Sequence, residues 1–261
     1  MLNRSEIKLG ARAAVWQRPL GPVLAVLLAR LPGLILDVSV YSVVRYLIAG
    51  RIDLHSFFIG AFALLISLFV TLPMNVSLAG YFIALVSGHP QRVQSMLAIF
   101  SDKAQYRHAY FTGLNVFLRQ TVWSGIALLP CLLSNLLRAA GSSLPAWALN
   151  LLWAAGVASF IFAFSFCTLR YAFAPYFAWE YTYLTAQEAV DMSVSATRGR
   201  LWELLTLALS FAPWFLLSAA TAGVAYLFVA PYVSAVFAAY YLIFKRQEGI
   251  LLPTPKEYTD V

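Results

Sequence analysis

The ionisable residues that fall in apolar surroundings are the ones whose chemistry would matter most in this chain. Arg30 and Asp37 are seven positions apart, Arg45 is eight further on, and Tyr41 lies between them, so on one helix all four share a stripe. A charge at the centre of a membrane helix costs about 2.5 to 3.5 kcal/mol on insertion scales, so such groups pair or face a polar seam. Two arrangements satisfy that requirement. One is a cavity that takes a headgroup or an ion, and the other is an internal Arg30–Asp37 pair with Arg45 at the interface.

Further candidates come from prolines inside apolar stretches: Pro32, Pro73, Pro130, Pro175, Pro213 and Pro231. Each removes a backbone donor and releases a carbonyl of the preceding turn, which lipid tolerates only beside protein or polar side chains. Asn75 and Ser77 follow Pro73, and Tyr232 and Ser234 follow Pro231, so these four are candidates for a central polar site like those of transporters with broken helices. Arg119 and Glu203, expected near the starts of two helices at similar depth, are a candidate structural ion pair. Arg170 and Glu180 flank Tyr171, Phe173, Tyr176, Phe177, Trp179, Tyr181 and Tyr183. An aromatic belt at headgroup level accounts for that stretch, and a lipid-binding groove is the alternative; Arg170, Tyr176, Trp179 and Glu180 are the lipid-interface candidates. Gly80, Ala84 and Gly88, like Ala235 and Ala239, have the small-residue spacing of close helix packing.

Other chemistries lack their signatures. His55, His89 and His108 are isolated and Cys131 lies 36 positions from Cys167, so no metal and no cofactor is expected. The two thiols read as small buried hydrophobes. There is no phosphate-cradling glycine loop and no Gly-x-Ser-x-Gly elbow. Any ATP-driven step would need an ATPase partner.

Only 11% of the residues are charged and 61% are hydrophobic, against about 25% charged in a soluble domain. Three runs, Ser56–Gly88, Ala139–Leu169 and Leu204–Phe244, carry no charge at all. A membrane helix needs about 20 apolar residues. The pattern predicts an all-α polytopic membrane bundle with segments near 20–38, 57–87, 117–137, 146–170, 201–221 and 224–244, the last two joined by a turn near Thr221-Ala222-Gly223. That leaves residues 1–19 and 246–261 as terminal segments around one membrane domain, 20–245. The start of the chain reads as part of the mature protein, because the apolar region after Arg18 is interrupted by Arg30 and lacks a cleavage site.

Fourteen of the 18 Lys and Arg residues fall on one side of these six segments, against Arg45, Arg51 and Arg138 on the other. The positive-inside rule then predicts both termini in the cytoplasm. The net charge of +7 follows from this asymmetry, and nucleic acid is not an expected partner. Two amphipathic cytoplasmic segments are expected on the inner leaflet, within 89–116 and over 185–199. In the second, Thr185-Ala186-Gln187-Glu188 fits a capping box, Ala186, Ala189, Val190, Ser193, Val194 and Thr197 line one face, and Gly199 is a stop. Residues 37–50 read either as an interfacial helix or as a continuation of the first segment.

The C-terminal half carries a resemblance. Tyr171-Ala172-Phe173-Ala174-Pro175-Tyr176, the stretch Ala186 to Arg200, Leu201-Trp202-Glu203-Leu204-Leu205 and Leu209-Ser210-Phe211-Ala212-Pro213-Trp214 follow in order. Val229-Ala230-Pro231-Tyr232, with Ala235 and Ala238-Ala239-Tyr240-Tyr241, and Leu72-Pro73 with Ser77-Leu78-Ala79-Gly80-Tyr81-Phe82 complete the series. Together, over roughly residues 70 to 245, they resemble the DUF975 family of bacterial integral membrane proteins. Arg198-Gly199-Arg200 stands where a Gly-Asn or Gly-His pair and a Lys are usual, and Ala212-Pro213-Trp214 where Ile-Gly-Trp is. The resemblance implies a six-helix bacterial inner-membrane protein of uncharacterised role and brings no catalytic residues. Three functions fit: a non-enzymatic binder or exporter of a lipid, peptide or small amphiphile, within a larger system or alone; a scaffold or regulator recruiting a protein at the cytoplasmic face; or a lipid-modifying enzyme using His89 or His108. Membrane lipids are expected partners in each.

Overall fold

The computed structural model of the protein describes residues 4–33 and 54–248. Among the described residues there are helices and no strand: α1 (Arg4–Trp16), α2 (Leu20–Gly33), α3 (Leu54–Val86), a 3-10 helix (Val93–Phe100), α4 (Lys103–Ala127) and α5 (Leu129–Ala139) come first. They are followed by α6 (Ala146–Arg170), α7 (Ala174–Glu180), α8 (Ala186–Thr197), α9 (Leu201–Leu209), α10 (Ala212–Ala220) and α11 (Tyr226–Glu248).

Proline sets several of these boundaries. Pro130, Pro175 and Pro213 each occupy the first turn of a new helix, α5, α7 and α10. There the missing N–H costs nothing and the ring pre-sets φ, whereas further inside it would break the ladder. Pro73 and Pro231 instead lie within continuous helices, α3 and α11. Between α10 and α11 the chain turns through two left-handed residues, Ala222 (φ 50°) and Gly223 (φ 90°). The Gly223 N–H donates to the Ser218 carbonyl at 2.7 Å, so the expected turn is present.

Among the described residues, four stretches are long and apolar enough to cross a membrane: Phe58–Val86, Ala146–Glu180, Leu201–Ala220 and Tyr226–Arg246. A fifth is added if α4 and α5, which meet at 46°, form one bent crossing. Six were expected. The first of those is represented by α2, which is shorter than a crossing within the described residues, and 37–50, with Asp37 and Tyr41, lies outside them. The third was expected to begin at 117 but begins at Lys103, because Asp102 caps it: the Oδ1 atom accepts from the N–H groups of Ala104 (2.8 Å) and Gln105 (3.2 Å). Residues 103–116 therefore start a long helix instead of forming a surface segment. Of the expected leaflet piece, the 3-10 helix keeps the two-faced character, with Met96 and Ile99 buried and Leu97 and Phe100 exposed.

The capping box of α8 is formed as read from the sequence, with Thr185 Oγ1 accepting from the Glu188 N–H (3.3 Å) and Glu188 Oε2 from the Thr185 N–H (2.8 Å). Its apolar face is not laid on a leaflet. Ala189, Val190, Ser193, Ala196 and Thr197 are buried, and α8 packs on α7 and α4. The reason is the break at Pro175. Ser193 Oγ donates to the Arg170 carbonyl (3.0 Å) and accepts from the Phe173 N–H (3.2 Å), and Thr197 Oγ1 donates to the same carbonyl (3.3 Å). α8 thus supplies the partners that the interrupted α6–α7 backbone lacks. Thr185→Ala removes one cap and should cost about 1 kcal/mol, read as a lowered unfolding temperature of the purified protein with α8 otherwise in place.

The tightly packed part is one end of the bundle. The second half of α3, α7, the 3-10 helix and α11 form its centre, flanked by α1, α2, α8 and α9. α1 is docked there, not free: Ile7, Ala11 and Val15, at four-residue spacing, are buried, and α1 runs against α11. Lys8 Nζ donates to Ser210 Oγ at the α9–α10 break (2.7 Å) and lies 5.0 Å from the centre of the Phe211 ring. The other end is apolar and open. Leu136, Phe162, Trp147 and Leu216 are 67 to 72% exposed, a surface that water would penalise and hydrocarbon would not.

Candidate functional site

The proline-flanking candidates each have a different partner or environment. Ser77 is buried and its Oγ donates to the Met96 carbonyl (2.7 Å), which ties α3 to the 3-10 helix. Tyr232 sets its ring edge-on against Phe211 at 5.6 Å. Ser234 contributes its carbonyl, 3.5 Å from the Tyr176 hydroxyl, and Asn75 is half-buried on α3. Arg30 is exposed near the end of α2, and its expected companions Asp37 and Tyr41 lie outside the described residues. His89 is exposed, while His108 is half-buried on α4 with Nε2 enclosed and unbonded.

Arg119 pairs with Asp191 of α8 at 3.0 Å, not with Glu203 as expected. The cause is topological, since α8 folds back across α4 whereas α9, which carries Glu203, lies beside α6.

The aromatic stretch after Arg170 is core and not a belt. Tyr171, Phe173, Tyr176, Phe177 and Tyr181 are buried, and only Tyr183 is half exposed. Tyr241 of α11 is the centre of this cluster, 5.1 Å from Tyr176 in a stacked pair and 5.1 Å from Phe177 edge-on. Its hydroxyl donates to Glu180 Oε2 at 2.6 Å, and Lys245 Nζ donates to the same oxygen at 2.9 Å. Glu180 is therefore the polar anchor between α7 and α11, a role the sequence reading missed because Lys245 is 65 positions away. Trp179 lies against Gly80, where an added Cβ would come within 2.1 Å of the indole. Gly80 thus receives a side chain rather than a neighbouring backbone.

Two adjoining hollows open between α6 and α9–α10. The first, about 250 Å³, is walled by Phe162, Phe166, Leu201, Trp202 and Leu205, with Gly199 at its end. The second, about 570 Å³, continues past Leu209 and Ala212 to Phe215 and Leu216. Ser165, Leu169 and Leu205 belong to both, so they form one groove. It exists because α6 packs chiefly on α4 and α5 and only lightly on α9. Its polar groups are few and partly occupied: Thr168 Oγ1 donates to the Phe164 carbonyl (2.8 Å) and accepts from Gln120 Nε2 (3.0 Å). A lining that is mostly aromatic and aliphatic suits an apolar ligand. Arg170 stands beside the groove-lining Phe166, its guanidinium carbon 5.9 Å from the centre of that ring. Gly199 holds a left-handed φ of +77°, and nothing lies within 4 Å of where its Cβ would be. Of the lipid-interface candidates only Arg170 adjoins this groove; Tyr176, Trp179 and Glu180 face the packed end. The remaining groove residues lie in apolar runs with no motif to mark them.

No curated protein and no solved structure matches the chain. A family described as proteins of unknown function, DUF975, matches residues 1–248, a longer stretch than the motifs from residue 70 onward. The chain, whose described residues form a helical bundle with four or five membrane-length helices, belongs to the DUF975 family.

Proposed function

We propose that this protein is a multi-pass protein of the bacterial cytoplasmic membrane that binds an amphiphile and helps move it, without catalysing a reaction. The observation that carries the reading is the apolar groove between α6 and α9–α10, open along the bundle surface and bordered by Arg170 at one end. Leu201 to Leu216 covers roughly 20 Å at about 1.5 Å per residue. One leaflet of a hydrocarbon core about 30 Å thick is about 15 Å deep, so the groove has the length for an acyl chain. The clustering of basic residues supports an orientation with this bordered end, and both termini, towards the cytoplasm. The buried apolar face of α8 counts against the scaffold reading, which needs that face for a partner.

Ser165→Trp places an indole where the two hollows join. Native mass spectrometry of the full chain extracted in mild detergent should find a lipid on the wild type and at least tenfold less on Ser165→Trp, with the unfolding temperature little changed. Ala208→Phe, further along, should give the same loss. Equal lipid on wild type and both folded variants would exclude the groove as the site.

A further inference from the structure

Resting on that reading, we infer that the groove selects a phospholipid with a net anionic headgroup, held at the Gly199 end by Arg170 and Arg198. The charge distribution around the groove carries this. Arg170 lies over Phe166, which lines the groove, so its guanidinium stands at the boundary between the apolar wall and the exterior. Such a position lets the stem stay on apolar surface while the charge meets a phosphate. Arg198 is exposed and immediately precedes Gly199, the groove residue with open space above it. Arg200, on the other side of Gly199, turns to the core, 4.7 Å from the Phe244 ring, and is not part of the groove.

Among the described residues, the four carboxylates on α7, α8 and α9 are engaged elsewhere or turned away. Asp191 is held by Arg119 at 3.0 Å, Glu180 by Lys245 at 2.9 Å, and Glu188 closes the capping box. Glu203 is on α9, but at 100° per residue it falls on the face opposite Leu201, Leu205 and Ala208, which line the groove. Among the described residues, an apolar groove with Arg170 against its Phe166 wall and Arg198 next to its Gly199, and with these carboxylates engaged or turned away, is complementary to an acyl chain ending in a negative headgroup. A zwitterionic headgroup would bring its own cation against Arg170 and Arg198.

The test offers the purified full chain, stripped of lipid, an equimolar mixture of phosphatidylglycerol and phosphatidylcholine with matched acyl chains in detergent micelles, and reads the bound species by native mass spectrometry. The wild type is expected to carry phosphatidylglycerol in at least fivefold excess. Arg170→Gln/Arg198→Gln should bring that ratio close to one while the total bound lipid is kept. Arg92→Gln/Arg246→Gln, which removes the same charge from exposed positions away from the groove, should leave the ratio as in the wild type. No preference in the wild type, or a preference that survives the first double variant or falls equally in the second, overturns the inference. Failure of the groove reading itself looks different, because total bound lipid would then be insensitive to Ser165→Trp.

Discussion

Gly80→Ala is expected to destabilise the folded protein by about 2 to 3 kcal/mol, the upper part of the roughly 1 to 3 kcal/mol typical of forcing extra volume into a packed interior. The indole of Trp179 occupies the space a side chain at position 80 would need, with Cε2, Cδ2 and Nε1 all within 2.5 Å of an ideal Cβ. The ring cannot slide away easily, since α7 is pinned by Tyr176 and Phe177 against Tyr241 and by Glu180 against Lys245. At roughly 2 to 4 °C per kcal/mol for a chain of this size, thermal unfolding in detergent should show a fall of about 5 to 10 °C. The double variant Gly80→Ala/Trp179→Leu should recover part of that loss relative to Trp179→Leu alone. An unchanged unfolding temperature for Gly80→Ala would mean that α3 and α7 are not in this contact.

Glu180→Ala should cost about 2 kcal/mol and loosen α7 from α11. Removing one member of a buried charged pair leaves the other uncompensated, typically at 3 to 5 kcal/mol. Here Lys245 keeps 36% of its side chain exposed and can turn to water, which lowers the figure, while the Tyr241 hydroxyl loses its acceptor inside the aromatic cluster. Glu180→Gln retains an acceptor for Tyr241 and loses only the charge, so it should be the milder change. Both are read by denaturant or thermal unfolding. Adding Lys245→Met to Glu180→Gln should relieve the latter if the ion pair is the source of its cost, and an additive result would show the two side chains to be independent.

Local features were the most legible in the sequence. The Thr185–Glu188 capping box, the turn at Thr221–Gly223 and the apolar runs all depend on residues within a few positions of one another. Prolines were legible as interruptions, though not which of them would start a new helix: Pro130, Pro175 and Pro213 do, whereas Pro73 and Pro231 are carried within α3 and α11. The start of α4 was misplaced by about one amphipathic stretch because charges at Lys103 and Arg107 resemble a surface segment, yet Asp102 caps a helix that continues through them. From the sequence the aromatic stretch reads as an interfacial belt or a lipid groove, because Tyr and Trp are frequent at membrane interfaces. The structure packs most of it inside against Tyr241 and Phe244.

Composition and order alone determined that this protein is helical, that its helices are of membrane length, and where several of them begin and end, because hydrogen bonding in a helix is local and length is counted along the chain. Tertiary structure decided which side chains meet: Arg119 with Asp191, Glu180 with Tyr241 and Lys245, Trp179 with Gly80, and the opening between α6 and α9–α10. The physical reason is that hydrophobic periodicity distinguishes inside from outside only when the outside is water. For helices whose inner and outer faces are both apolar, rotation and tilt are set by packing between residues far apart in sequence, and it is that packing which leaves the groove open.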